Sequence, residues 1–87
     1  MLYTNEEDGP NIDELLEDFI CALVSSPEDV VIDRVETNST LIYTIDVISD
    51  DRGKIIGRGG TIINSLKTIF RALGCKHGKK VHLEIQE

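Results

Sequence analysis

The chain has 87 residues and a net charge of −7, with 40% hydrophobic and 5% aromatic residues. This length suits one domain with a modest core, and so few aromatic side chains exclude an aromatic-rich binding face. The apolar runs are far shorter than the ~20 residues of a membrane-spanning helix, and the acidic N-terminus lacks the basic region of a targeting signal. We therefore expect a cytoplasmic protein whose two cysteines, Cys21 and Cys75, are free thiols.

The charge is divided unevenly along the chain. Residues 1–51 contain 14 Asp and Glu against one basic residue, Arg34, and carry a net charge of −13. Residues 52–87 contain eight Lys and Arg against two Glu, and carry +6. The negative average therefore does not exclude a polyanionic partner for the C-terminal part.

The chain is predicted to begin with a flexible acidic lead, residues 1–10, followed by one folded domain, residues 11–87. A helix opens this domain, with Asn11 as N-cap and Glu14 placed as in a capping box. It ends at Ser25-Ser26-Pro27, because the residue before a proline avoids the helical region. Its outer face is almost entirely carboxylate. Its apolar positions recur at helical spacing: Ile12, Leu15, Leu16, Phe19, Ile20 and Leu23.

Three β-strands are predicted from runs of β-branched and alternating residues. Segments 30–36 and 41–48 form an antiparallel hairpin around a polar turn, and segment 79–86 forms a final strand. In the second strand, one face carries Leu41, Tyr43, Ile45 and Val47 and the other Ile42, Thr44, Asp46 and Ile48; in the last strand, Val81, Leu83 and Ile85 alternate with His82 and Glu84.

Two further helices are predicted between the second and third strands. The first, in segment 49–57, is expected to be capped by Asp50 or Asp51. The second starts after Gly60 and is expected to end at Gly74 as C-cap. Its predicted apolar stripe is Ile62, Ile63, Leu66, Ile69, Phe70 and Leu73. The order α-β-β-α-α-β predicts an α+β domain with helices packed on one face of a three-stranded sheet.

Four of the seven glycines lie between positions 53 and 60. Glycine is costly inside regular structure, so this clustering indicates a place where the backbone approaches something closely. A Walker A loop is excluded because the Gly53-Lys54 pair is followed by isoleucine in place of Ser or Thr. A dinucleotide-binding fingerprint starting at Gly57 is excluded because Ile62 stands where its last glycine belongs.

What remains is the G-x-x-G turn Gly57-Arg58-Gly59-Gly60 between two helices. Its bare backbone suits a sugar-phosphate chain, the N–H groups of the next helix favour phosphate, and Arg58 adds a cationic fork. Lys54, Lys67 and Arg71 widen the positive field. Two alternatives stay open: a purely steric turn, and, for Lys67 and Arg71, a solvated helix face without a ligand.

The string GKIIGRGGTII, residues 53–63, resembles the core signature of KH domains, whose G-x-x-G loop clamps the backbone of about four nucleotides. The element order is similar to the type II KH arrangement of bacteria. Length and layout resemble the stand-alone single-KH RNA-binding proteins of the KhpA (YlqC) family. The resemblance covers residues 11–85 and implies a type II KH-like fold.

The resemblance also implies a function: non-catalytic binding of single-stranded RNA, as an RNA chaperone or post-transcriptional regulator linked to cell shape and cell-wall homeostasis. It implies a homodimer or a heterodimer with a second KH-containing protein. Ile56 and Ile63 would form an apolar groove wall. Gly59 departs from the many KH loops that carry a basic or polar residue there, so Arg58 alone supplies charge at the tip. The expected RNA-binding residues are Lys54, Ile56, Gly57, Arg58, Gly59, Gly60, Thr61, Ile63, Asn64 and Lys67.

No metal, cofactor or catalytic site is predicted. Cys75, His77 and His82 lack the spacing of a four-ligand structural site, and the carboxylates have no nearby histidine or nucleophile pattern. The rival function is a protein–protein interaction module on a KH scaffold, in which the acidic helix docks a basic partner and RNA affinity is low.

Overall fold

The computed structural model describes residues 11–87, and the predicted acidic lead, residues 1–10, lies outside them. The predicted element order is confirmed. Two short 3-10 turns, Pro27–Asp29 and Arg58–Gly60, are added to it. The helices and strands are α1 Ile12–Leu23, β1 Val31–Glu36, β2 Thr40–Asp46, α2 Ser49–Ile56, α3 Thr61–Lys76 and β3 Lys80–Ile85.

The three strands form one mixed sheet in the order β1-β2-β3. β1 and β2 are the predicted antiparallel hairpin, with Val35 opposite Ile42. β3 runs parallel to β2, with Tyr43 opposite Leu83. The parallel pairing is possible because α2 and α3 form the crossover between these two strands. This is the expected α+β, type II KH-like architecture.

The core lies between the helices and one face of the sheet. The predicted alternation in β2 is confirmed, and each fully buried aliphatic or aromatic side chain contributes about 1.5–3 kcal/mol relative to exposure. The buried hydrophobic residues are Leu16, Ile20, Leu41, Tyr43, Ile45, Val47, Ile55, Ile63, Leu66, Phe70, Val81 and Leu83. No helix described for residues 11–87 combines the length and apolar character that a bilayer crossing requires.

Within residues 11–87, Asn11 caps α1 as predicted, but the hydrogen bond from the Asn11 backbone N–H to the Glu14 side chain that would complete a capping box is not formed. The Asn11 side chain accepts hydrogen bonds from the backbone N–H groups of Asp13, at 2.8 Å, and Glu14, at 3.4 Å. Two otherwise unpaired N–H groups of the first turn are thereby satisfied. The helix ends at Leu23, shortly before Ser25.

The predicted cap of α2 is wrong. Ile48 occupies the N-cap position, and no side chain caps the helix. Asp51 lies within the first turn and is fully buried. Its carboxylate is used in a tertiary contact: Ser25 donates to it through its backbone N–H and its hydroxyl, and Ser26 through its backbone N–H.

Two predictions about α3 are wrong. Ile69 is 43% exposed, because it lies one helical step away from the core-facing Phe70. Gly74 is not a C-cap, since the helix continues to Lys76. A Cβ at position 74 would lie 2.4 Å from Val81 Cγ2 and 2.7 Å from the Lys79 carbonyl oxygen. Glycine therefore stands here because α3 packs directly onto the chain that enters β3.

Candidate nucleic-acid interface

The glycine-rich turn joins α2 to α3. Gly57 ends α2 with φ 76° and ψ 171°, and the 3-10 turn Arg58–Gly60 leads into α3. Gly59 and Gly60 also have positive φ, 65° and 82°. Three of the four loop residues thus adopt backbone conformations that side chains with a Cβ rarely enter.

The loop has a crowded side and an open side. A Cβ at Gly57 would lie 2.7 Å from Ile62 Cγ1 and 2.9 Å from the Ile62 backbone nitrogen. A Cβ at Gly59 would meet no atom within 4 Å. Gly57 is therefore required by the packing of the turn itself, whereas Gly59 leaves bare backbone facing open space.

The N-terminus of α3 is available to an anion. Gly60 is its N-cap, so no capping side chain covers the first turn. The Gly60 N–H donates to the Gly57 carbonyl at 3.1 Å, and the Thr61 N–H donates to the Arg58 carbonyl. The later N–H groups of the first turn have no acceptor within the helix, and the helix dipole adds positive potential there.

A polar and basic stripe continues from the loop along α3. A Cβ at Gly60 would lie 3.3 Å from Asn64 Nδ2, so this side chain adjoins the turn. Lys67 and Arg71 follow at positions i+3 and i+7 from Asn64, on the same helix face, and the distance from Asn64 to Arg71 along the axis is about 10 Å. Asn64, Lys67 and Arg71 therefore form one continuous surface that starts at the turn, whereas the predicted Ile63 faces the core.

Lys67 and Arg71 line a groove of ≈ 500 Å³ between α3 and β3. Its other lining residues are Lys80, Val81, His82, Leu83 and Glu84. Lys80 and His82 are not among the binding residues expected from the sequence. The alternation in β3 was visible, but the sequence did not show that this strand would be the sheet edge beside α3.

The cations of this surface differ in their pairing. Lys54 Nζ lies 3.1 Å from Asp51 Oδ1, and the lysine side chain is 48% exposed. Its ammonium can donate further hydrogen bonds to a ligand. Among residues 11–87, Arg58, Lys67 and Arg71 form no ion pair. These three side chains are therefore not held in an ion pair by a carboxylate of the described chain, although Glu84 lines the same groove as Lys67 and Arg71.

The two expected groove-wall residues lie in different environments. Ile56, directly before the turn, is 37% exposed and presents apolar surface beside Gly57. Ile63 is 8% exposed and belongs to the core cluster. Of the two, Ile56 offers most of the accessible apolar surface near the loop. Within residues 11–87, no group of three or more His, Cys, Asp or Glu side chains is arranged to hold a metal ion.

Comparison with known proteins gives a consistent picture. The family model described as "KhpA/KhpB, KH domain" matches residues 13–85. The chain is 41% identical over 76 residues to the "RNA-binding protein KhpA" of Listeria monocytogenes, covering 87% of this chain and 100% of that protein. It is 35% identical over 71 residues to the protein of the same name from Oceanobacillus iheyensis, covering 82% and 95% of the two chains. The corresponding protein of Chlamydia trachomatis is 36% identical over 74 residues, 85% of this chain and 95% of that one. No solved structure matches the chain.

Proposed function

The chain belongs to the KhpA/KhpB KH-domain family, and from this premise we propose that it binds single-stranded RNA without catalysing a reaction. The turn Gly57-Arg58-Gly59-Gly60 holds the sugar-phosphate backbone, and the groove between α3 and β3 receives unstacked bases. The folded binding unit is residues 11–87. Relatives named as RNA-binding proteins support the choice of ligand.

The observation that carries the proposal is the open side of Gly59. Its positive φ and the empty space at its Cβ position leave main chain that a phosphate can approach without displacing a side chain. The unpaired N–H groups at the start of α3 and the guanidinium of Arg58 lie beside this point. Together they supply hydrogen-bond donors and positive charge, which is what an anionic backbone requires.

The groove favours contacts of low sequence specificity. Val81 and Leu83 form the buried floor of the groove, Ile56 exposes apolar surface beside the turn, and none of the groove-lining residues is Phe, Tyr or Trp. Base stacking on aromatic rings therefore contributes little, and van der Waals contacts with the bases remain. Four polar side chains beside the turn contact phosphates or base edges: Lys54, Thr61, Asn64 and Lys67. Ile63 supports this wall from the core side.

A protein with these properties suits a role as an RNA chaperone or post-transcriptional regulator in the bacterial cytoplasm, and we propose that role here. We further propose that it acts as a homodimer or with a second KH-containing protein, for which the joint family description provides support. A link to cell shape and cell-wall homeostasis is proposed from the family resemblance alone.

The test is fluorescence anisotropy of a labelled single-stranded RNA pool at low salt, with the natural chain and an R58D/G59D variant. The matched control is K76D/G78D, at the opposite end of α3. Gly78 also has positive φ, 74°, and open space at its Cβ position, so charge change and backbone strain are equivalent. Circular dichroism establishes that all three proteins are folded.

We expect the natural chain and the control to bind and the loop variant to lose most of its affinity. Equal loss in both variants would show that only the overall charge matters, and the turn would then have no special role. If the natural chain itself does not bind RNA, the proposed function is wrong.

A further inference from the structure

The sheet has a free edge on the side away from the proposed RNA groove. In the part of the chain that the structure describes, β1 pairs only with β2. The Thr37 N–H donates to the Thr40 carbonyl at 2.8 Å, which sets the phase of the antiparallel ladder. Because hydrogen-bonded pairs alternate along such a ladder, Ile32, Arg34 and Glu36 direct their N–H and C=O groups away from β2. An edge of this kind accepts an additional strand.

A groove of ≈ 210 Å³ lies beside this edge, between α1 and the sheet. Its floor is apolar, and three carboxylates of α1 form its rim. The lining residues are Asp13, Glu14, Glu17, Val30, Ile32, Arg34 and Tyr43. We refer to these seven residues as the acidic groove.

The charge of the acidic groove is only partly neutralised. Arg34, its one basic residue, is held by Asp13 at 3.3 Å and by Glu36 at 2.5 Å. Within residues 11–87, Glu14 and Glu17 form no ion pair and remain exposed. α1 contains no basic residue. The groove therefore presents negative charge directly beside unpaired backbone groups.

The opposite face of β1 has a different character. Val31 and Val35 are 52% and 57% exposed and lie on the side of the sheet that no helix of the described chain covers. A strand added to this edge would have alternate side chains on the two faces. One set would lie against the two valines, and the other would point toward the carboxylates of the acidic groove.

We propose that the β1 edge and the acidic groove form a docking surface for an extended basic segment of a partner protein, with basic and apolar residues alternating along it. A second copy of β1 is disfavoured because this strand has one basic residue, and Arg34 is already paired with Asp13 and Glu36, so the copy would bring no free cation to Glu14 and Glu17. RNA is disfavoured by the same charge. The segment's cations pair with Glu14 and Glu17, and its apolar residues cover Val31 and Val35.

The test uses the capped peptide Lys-Val-Lys-Val-Lys-Val and amide chemical shifts of the full chain. We expect the peptide to change the amide chemical shifts of β1, α1 and Val30 only. These changes should be the same when RNA is also present. A Glu-Val peptide of the same length does not bind. A peptide with alternate backbone N-methyl groups, which blocks strand pairing on one edge, binds more than about tenfold more weakly, because several backbone hydrogen bonds are lost.

A matched pair of variants distinguishes direct contacts in the acidic groove from the effect of the protein's overall negative charge. The E14Q/E17Q variant binds the Lys-Val peptide about fivefold more weakly than the natural chain, as expected for the loss of two exposed ion pairs. The D18N/E28Q variant removes the same amount of charge from residues that do not line the groove, and it leaves the affinity for the peptide nearly unchanged. Equal weakening in both variants, equal binding of the N-methylated peptide, or shifts on α3 and β3 would overturn the proposal. Shifts at β1 that grow with protein concentration alone would identify a second copy as the occupant, and also contradict it.

Discussion

The hydroxyl of Ser25 donates a 2.7 Å hydrogen bond to Asp51 Oδ1, and the Ser25 backbone N–H donates to the same oxygen at 3.1 Å. These contacts tie the chain after α1 to the first turn of α2, across 26 positions of sequence. The other carboxylate oxygen accepts from the Ser26 N–H at 3.1 Å, and Lys54 approaches from the solvent side. A buried carboxylate is thus saturated with donors, and the helix that leads into the glycine-rich turn is held in place.

The first prediction concerns pH and this carboxylate. The hydrogen bond from the Ser25 hydroxyl, together with those from backbone N–H groups and Lys54, holds the pKa of Asp51 well below its usual range. A group whose pKa is lower in the folded state stabilises the protein above its unfolded pKa, about 3.9, and loses this contribution as the pH falls. We expect the urea midpoint to decrease as the pH is lowered from 5 to 3.

The D51N variant provides the comparison. It is expected to be less stable at pH 7, because an amide cannot replace all the charge-assisted acceptor contacts, and its midpoint should change less between pH 5 and 3. Parallel pH dependences in the two proteins would assign acid sensitivity to other carboxylates.

Two glycines close in sequence are predicted to respond oppositely to alanine. G53A should increase the free energy of unfolding by about 0.5–1 kcal/mol, because position 53 is helical and has no neighbour within 4 Å of a Cβ. G57A should decrease it by about 1–3 kcal/mol, since φ is 76° and the added Cβ meets Ile62 at 2.7 Å. Urea denaturation measures both. A neutral G57A would mean that the turn relaxes without cost.

Gly74 tests the contact between α3 and β3. We expect G74A to cost about 1–3 kcal/mol, as overpacking does, because Val81 Cγ2 and the Lys79 carbonyl oxygen lie 2.4 and 2.7 Å from the added Cβ. Because V81A itself removes a buried side chain, the loss caused by G74A is compared in the natural and the V81A backgrounds, and it should be smaller in V81A if the Val81 side chain is the main obstacle. An equal loss in both backgrounds would indicate that the Lys79 backbone is the obstacle.

The basic groove predicts a measurable salt effect. Removing one phosphate contact from a single-strand complex lowers the magnitude of the slope of log K against log salt by about 0.7. In RNA titrations at several salt concentrations, the K67Q and R71Q variants should each have a slope that is smaller in magnitude by about this amount. K76Q, on α3 but outside the groove, should leave the slope unchanged. Identical slopes in all three variants would favour the interpretation of Lys67 and Arg71 as a solvated face.

Local patterns in the sequence were sufficient to predict most of the fold. Helical and alternating periodicities report which face of an element is apolar, and Asn11 acts through neighbours two and three residues away. For the same reason the position of the glycine-rich turn between two helices, and the alternation of Leu41, Tyr43 and Ile45, could be predicted. The family signature lies in this same short stretch.

The errors arose where a residue's role depends on a distant part of the chain. Asp51 looked like a cap but binds Ser25; Gly74 looked like a helix end but permits contact with Val81. Ile69 has helical spacing, but its exposure depends on where the other helices pack. Each of these partners lies outside the element concerned, whether seven residues away, as for Gly74 and Val81, or 26, as for Asp51 and Ser25, and the pattern within one element carries no information about which other element it will meet.

The sequence by itself thus determined the elements, the turn and the family, because these depend on residues within a few positions of one another. Only the tertiary structure decided which surfaces these elements create. The basic groove exists because β3 pairs parallel to β2 and so lies beside Lys67 and Arg71. The acidic groove exists because α1 packs next to the free edge of β1. Both surfaces are products of packing between different elements, which no periodicity within a single element encodes.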